Sequence, residues 1–487
     1  MSALDVIVVG GGVGGLAAAI ALGAAGRRVR LIEAAHHIGG KMGTVIVDGV
    51  EVDTGPSVLT LTDVVARVFA RAGLRLADRI TLVSPRPAFR YHFDKAGSLD
   101  VFVDIDETLA SVRATLGSEA ASELALYLDG ARAIWEASKD DFVFAKAPTL
   151  PRLVRLAMTK PQKLFAVDAL RSMARAIFSQ VRSPELRLLL LRYATYNGSN
   201  PWQAPATLGC ISHVELELGG FGVKGGMAAL ARALEGTARG VGVEIVTGTK
   251  VERVVVKDGV VTGVDVADAF MKAPNVVVNA DVGWLRQTSA KSLSPSSSRP
   301  SMSGATALVK ARRRSAPRVA HEVLFSSDYE KETQTIFALN TPPAEPTIYL
   351  CAQEAAHGRT GWTGHEPVFA MVNVPPLGAE RGRSNDGAGD NQCLDAGLAR
   401  ARSRGLLDDD EVLWRRGSQA LAQEFPGSEG SLYGASSNER SAAFRRPANA
   451  SAVRGLFLAS GSAHPGGGVP LCLQSGLLAA DALLDQG

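Results

Sequence analysis

Cysteine is scarce in this chain: Cys210, Cys351, Cys393 and Cys472 are the only four in 487 residues. They lie far apart, with no C-x-x-C or metal-ligand spacing. That excludes a disulfide-stapled scaffold and a cysteine-based metal centre, and leaves reduced, packed thiols. A net charge of +3 is close to neutral for this length and lacks the basic footprint of a nucleic-acid binder. No apolar run reaches the ~18 residues needed to cross a bilayer. The N-terminus enters a strand almost at once, without the charged start, apolar run and small-residue cleavage site of a signal peptide. No internal repeat is evident. The expectation is a chain that works in the cytoplasm or at a membrane surface.

What the chain does have is apolar mass. At 46% hydrophobic and 21% charged, it can bury a large core, and its length predicts two or more structural units. The stretch LDVIVVGGGVGGLAAAIALGAAGRRVRLIE predicts a buried strand at 6–9, a glycine turn, a helix and a second strand at 29–32. Gly10, Gly12 and Gly15 stand in G-x-G-x-x-G spacing: the first for a tight turn, the second for approach of a pyrophosphate, the third for helix–strand packing. Glu33 ends the second strand, where a carboxylate accepts the ribose hydroxyls of an adenosine half. Beyond it, Gly39-Gly40-Lys41, a hairpin signal at Asp48-Gly49 and Asp53-Thr54-Gly55-Pro56 form a second backbone-dense approach. Nicotinamide enzymes seldom carry such an extension.

The middle of the chain is less explicit. Residues 63–72 have helical spacing, 89–93 and 99–103 form a hairpin across Lys95-Ala96-Gly97, and 108–136 reads as one helix. Between Lys146 and Arg192, ten basic residues face only Asp168 and Glu185, with apolar residues interleaved and prolines at 151, 161 and 184 cutting the run into short helices. Such a segment suits a membrane interface, and a solvated basic face is the competing reading. Tyr193, Tyr196 and Trp202 line an apolar tunnel or belong to plain core. His213 and Glu215, if in a strand, share a face as a polar pair, with a purely structural histidine as the alternative. Gly225-Gly226 precede a helix. Strands at 243–246, 251–257, 260–266 and 275–279 read as a meander returning to the nucleotide unit. Residues 290–304 and 378–392 are loops by composition, and strands resume at 305–309, 347–351 and 368–374. Near the end come a strand at 455–459, a Gly-rich turn and a helix with Pro470 in its first turn.

The opening block resembles the FAD-binding N-terminus of the amine oxidase and carotenoid desaturase flavoproteins, and SGSAHPGGGVP resembles the last motif of phytoene-desaturase-type carotenoid desaturases. The likeness covers almost the whole chain. ATYNGSNPWQAPATL, HEVLFS and IYLCAQ are most similar to the hydroxyneurosporene and methoxyneurosporene desaturases. The chain departs from the pattern at Ser462, at the short turn before Asn275 and at Arg312–Arg314.

The resemblance implies an α/β fold: a Rossmann-like FAD-binding domain of the glutathione-reductase type, with a mixed β-sheet and a helical substrate- and membrane-facing region. Residues 1–75, 193–290 and 416–487 would form the FAD part, 76–145 and 291–415 the substrate part, and 146–192 the membrane-facing region. Gly10, Gly12, Gly15, Glu33, Gly40, Lys41, Gly55, Pro56, Val251, Gly461, Gly468 and Val469 would hold FAD, and no metal is expected. The implied activity is insertion of a C3,4 double bond into a 1-hydroxy- or 1-methoxycarotenoid by hydride departure to flavin N5. Quinone or oxygen would be the final acceptor, and the inner face of the membrane the location, with no nucleic-acid partner. His213, Glu215 and His321 are candidates for proton transfer or for holding a terminal oxygen, with no choice among them forced. Phytoene desaturation, another flavin reaction or a non-enzymatic lipid-binding role are the alternatives.

Overall fold

Val6–Val9 is buried on both faces, and alternation along it divides the interior in two. Val6 and Val8 pack with Leu16, Ile20, Leu230 and Leu473 of three helices, whereas Ile7 and Val9 pack with Val254, Val261 and Val264 of an antiparallel ribbon. A strand covered on both sides reads as a continuous apolar run, as VIVV does. In the computed structural model, which describes residues 4–94, 97–160, 162, 166–267, 269–289, 299–380, 383–439 and 442–486, this strand is the centre of a five-stranded parallel sheet. Its order is Leu456–Leu458, Asn275–Val278, Val6–Val9, Val29–Ile32 and Glu244–Val246. Strands from both ends and the middle of the chain thus meet side by side.

Two strand expectations change. The stretch at 243–246 does not belong to the meander but forms the sheet edge, with Arg30–Ile32 as its partner. The meander itself is Val251–Lys257, Val260–Val266 and Ala269–Lys272, turned by Asp258 and Gly259, both at positive φ. Asn275–Val278 returns to the main sheet between the first strand and the last.

A second, seven-stranded sheet runs Glu411–Arg416, Ser303–Arg312, His365–Val374, Ile348–Ala352, His321–Leu324, Phe89–His92, Ser98–Val101. Period-2 alternation gives it two dissimilar faces. Leu324, Ile348 and Leu350 pack under the helix Asp390–Ser403. Phe89, Tyr91, Val323, Tyr349 and Cys351 face the helices Ser118–Ser138, Met173–Gln180 and Pro184–Arg192.

The predicted helix at 108–136 is two helices, Ile105–Leu116 and Ser118–Ser138, because Gly117 at φ +96° breaks the run. Pro151 does not cut the basic segment; it sits in the first turn of Leu150–Thr159. Residues 378–392 hold a small hairpin, Gly378–Glu380 with Arg383–Asn385, and the start of a helix. Lys95, Ala96, Lys163, Leu164, Phe165 and residues 290–298 lie outside the described residues, as do the side chains of Leu153 and Leu156.

The first helix, Val13–Ala24, and the last, Val469–Leu484, touch backbone to backbone: a Cβ on Gly476 would lie 2.2 Å from the carbonyl oxygen of Gly14. Gly476→Ala is therefore expected to lower stability by about 1–3 kcal/mol, the range for overpacking a filled interior. Gly240→Ala, at a helical glycine whose Cβ would meet nothing within 4 Å, should leave it level or raise it. Urea unfolding midpoints of the two variants, read side by side, check the contrast.

Candidate active site

The parallel strands end in a row at one edge of their sheet, and the predicted cofactor residues gather there. Gly10 follows the first strand at φ +99°. Cβ atoms on Gly12 and Gly15 would fall 2.6 Å from Asn279 Oδ1 and 2.2 Å from Gly10 O. The first helix opens without a side-chain cap and without an acidic residue in its first turn, so its leading N–H groups suit an anion. Gly40, at φ +58°, lies over the same turn: its Cβ would be 3.2 Å from the Cα of Gly12, and the Gly39 N–H donates to Gly11 O at 2.9 Å.

Glu33 ends the neighbouring strand. Its carboxylate accepts the N–H of Gly11 at 2.5 Å and of Ala35 at 2.8 Å. The Thr249 N–H donates to the Glu33 carbonyl at 2.9 Å, which brings the buried Val251 alongside. The structure thus unites Gly10, Gly12, Gly15, Glu33, Gly40 and Val251. Sequence reasoning missed Asn279, whose side-chain amide donates to Ala459 O and joins two of the strand ends.

The C-terminal turn closes the other side. Gly468, at φ +103°, precedes Val469 and a helix that again opens without a side-chain cap, with Pro470 in its first turn. Gly461 lies against the same turn, where its Cβ would be 3.1 Å from Cys472 Sγ. Two buried cations frame it. The Lys41 ammonium donates to Ser431 O at 2.7 Å and Leu432 O at 3.0 Å, and burial lowers its pKa against the pull of Asp281. Arg446 donates to Gly461 O and Ala435 O, with burial taking it down to about 10. A Cβ on Gly55 would lie 2.0 Å from Lys41 O, so Gly55 and the half-buried Pro56 press on the chain at Lys41. A glycine cradle that side chains would fill, uncapped helix starts and an acid at the ribose position all suit a dinucleotide with a pyrophosphate.

The catalytic candidates separate. His213 and Glu215 lie in the helix Cys210–Leu216, not a strand, so at ~100° per residue they diverge instead of sharing a face. His213 Nδ1 lies 2.5 Å from Glu217 Oε2, and Glu217 also pairs with the exposed Arg132. Glu215 turns inward and accepts the hydroxyls of Tyr193 and Tyr196. Burial raises its pKa, while the hydrogen bond from Tyr196 and the charge of Arg192 act to lower it. His321 packs at a tilt on Phe89, stacks on Tyr349 and shares a 2.8 Å hydrogen bond between Nδ1 and the Tyr349 hydroxyl. Burial, then His357 and Arg192, push its pKa well below the usual value, and the ring is neutral at neutral pH.

Between Glu215 and His321 stands Arg192, the residue sequence reasoning counted only as one more base. It is buried, with its guanidinium carbon 5.9, 6.0 and 5.6 Å from the ring centres of Tyr91, Tyr196 and Tyr349. Tyr329 and Tyr433 also feel its charge. The one available signal was its setting, directly after the four leucines of LRLLLLRY and before Tyr193.

Comparison with known proteins adds a family. The model of the flavin containing amine oxidoreductases matches residues 13–374. The chain belongs to that family. It is an FAD-dependent oxidoreductase of the carotenoid desaturase group. This flavin-containing oxidoreductase is 34% identical to the hydroxyneurosporene desaturase of Rubrivivax gelatinosus, over 98% of this chain and 93% of that protein. It is also 34% identical to the hydroxyneurosporene desaturase of Rhodobacter capsulatus, over 99% and 98%. A 4,4'-diaponeurosporene oxygenase of Staphylococcus aureus is 27% identical, over 98% and 97%. Among solved structures, an oxidoreductase from Methanosarcina mazei shares the fold, with a TM-score of 0.65 at 16% identity over 99% of this chain and 100% of that one.

Flavin content tests the cradle. Wild type is expected to purify with one non-covalent FAD per chain, read by oxidised-flavin absorbance after extraction. Gly12→Val should purify without it, since its Cβ already meets Asn279 and its methyl groups enter the phosphate approach. Glu33→Ala should bind FAD more weakly, by about 1–3 kcal/mol, for loss of a charged hydrogen-bond acceptor.

Proposed function

We propose that this protein inserts a C3,4 double bond into an acyclic carotenoid whose end already carries a 1-hydroxy or 1-methoxy group. The observation that carries the reading is 34% identity over nearly the full length to three proteins named hydroxyneurosporene desaturase, against 27–28% to the oxygenases. FAD bound there would supply a hydride acceptor strong enough for desaturation of a carbon–carbon bond, chemistry for which nicotinamide is too weak. The remaining work belongs to the chain's own residues. Gly10, Gly12, Gly15 and Gly40 would hold the pyrophosphate, Glu33 the ribose, Val251 the adenine side, and Gly55, Pro56, Gly461, Gly468 and Val469 the ring end, with Lys41 pinning the segment at Ser431 and Leu432.

Charge left on the substrate is delocalised by its polyene, so proton loss from the neighbouring carbon needs no strong base. The apolar face of the seven-stranded sheet orients the chain and excludes water. His213 takes no part, being paired with Glu217. His321, neutral and buried, and Glu215 remain the candidates for receiving the proton.

Membrane association belongs to the same reading. Val154, Met158, Leu170 and Phe178 are 51, 80, 78 and 42% exposed, beside the exposed bases Arg155, Lys160, Arg171, Arg175 and Arg182. Apolar tips among cations suit the inner face of an anionic membrane, where quinone is at hand as electron acceptor. Among the described residues no helix is long and apolar enough to cross the bilayer. The protein should pellet with anionic liposomes and be released in part by high salt, which screens charge attraction but not apolar insertion. Charge reversal at Arg171 and Arg175 should weaken pelleting; undiminished pelleting would return the segment to an ordinary solvated face.

The activity itself is tested by offering 1-hydroxyneurosporene, neurosporene and phytoene separately and resolving products by chromatography and mass. Loss of two hydrogens from the hydroxylated substrate is the expected result. Efficient multi-step conversion of phytoene would sink the proposal and favour a phytoene desaturase.

A further inference from the structure

Six of the chain's seven tyrosines, all but Tyr127, surround Arg192 directly or through Glu215. Hydrogen bonding around the guanidinium does not close. Arg192 Nη1 and Tyr329 Oη are buried and make no hydrogen bond among the described residues, and buried Tyr91 Oη makes none of good geometry, although Tyr193 and Arg192 lie near enough to act on its pKa. A native fold carries three such atoms on one cluster only for a reason, because each gives up water and gains nothing.

The missing partner is defined by what is left over. A guanidinium only donates. Burial pushes Tyr91 and Tyr329 far above the ordinary phenol range, so both keep their protons and donate as well. The unmet capacity is therefore donor capacity, and its complement is an acceptor oxygen. Glu215 stands close enough to offset the charge of Arg192, so a carboxylate or phosphate arriving there would meet a like charge. The complement is uncharged. Its surroundings are rings: Phe89 stacks on Tyr91, and Phe325 packs on both Tyr91 and Tyr329. An apolar chain ending in an ether, hydroxyl or carbonyl oxygen fits, and a bare hydrocarbon end does not.

We propose that Arg192, Tyr91 and Tyr329 form the receptor for the terminal oxygen of the substrate and set its specificity, while Glu215, Tyr193 and Tyr196 hold the guanidinium in position. This rests on the oxygenated-carotenoid reading and adds the residues that read the oxygen. Because the cluster offers donors, a methoxyl oxygen, which only accepts, satisfies it as a hydroxyl does. Hydroxylated and methoxylated ends should be taken alike. The site also supplies what an apolar tunnel lacks, a fixed stop along a chain of similar carbons.

The test uses the FAD-loaded full chain and compares kcat/KM for 1-hydroxyneurosporene, 1-methoxyneurosporene and neurosporene offered separately. Wild type should favour both oxygenated substrates over neurosporene by about tenfold or more. Arg192→Met should cut that ratio at least tenfold, chiefly by raising KM for the oxygenated pair. The double variant Tyr91→Phe with Tyr329→Phe removes two oxygen atoms and keeps the rings; it should cut the ratio in the same direction and decides the matter if Arg192→Met purifies without flavin. An FAD-loaded double variant with an unchanged ratio would overturn the receptor and leave the carotenoid reading standing. Wild type that converts neurosporene as fast as its hydroxylated form would overturn both.

Discussion

The contact on which the rest depends is the approach of two backbones at Gly14 and Gly476. A helix that begins the chain and a helix that ends it meet with no side chain between them, and any Cβ at Gly476 would enter the Gly14 carbonyl. Because they lie this close, the glycine turn after the first strand and the glycine turn before the last helix open onto one crevice. Asn279 ties the same crevice from the middle of the sheet by reaching the carbonyl of Ala459. Each uncapped helix start is unfavourable alone and becomes useful only when both face one anion-bearing ligand.

Three buried cations show how differently the fold settles the cost of removing charge from water. Lys41 and Arg446 are held by backbone carbonyls, the cheapest acceptors the chain has, and both stand beside the C-terminal glycine turn. Arg192 is held by aromatic faces and the nearby charge of Glu215, and one of its nitrogens is left over. A closed set of hydrogen bonds makes a rigid wall. An open set makes a place for something else.

Much of the fold was legible because its signals are local. The first strand, the glycine turn, Glu33, the Asp258-Gly259 hairpin and Pro470 each depend on a few adjacent residues, and each is where periodicity and turn chemistry put it. What escaped were features decided by distant partners. Residues 243–246 have the apolar spacing of any strand, and only the free edge beside Arg30–Ile32 selects their sheet. His213 and Glu215 looked paired because a two-residue spacing is meaningful in a strand, whereas the short helix after Gly209 turns one toward Glu217 and the other toward Tyr193. Arg192 sat in a segment whose other bases are mostly exposed, and nothing in its neighbours' identities separates it from them. Its tyrosines come from residues 91, 193, 196, 329, 349 and 433, a convergence that exists only in three dimensions.

The order of strands in the parallel sheet carries a consequence for how the protein is made. Its central strand is made long before its neighbours on one side, residues 275–278 and, beyond them, 456–458. The half-sheet that exists early has an open edge for most of synthesis, and such edges are where growing chains aggregate. The crevice between the two glycine turns cannot close until residues 456–484 have been made, so whatever binds there is loaded late. A nascent chain cut short before Val469–Leu484 has only one of the two glycine-turn walls.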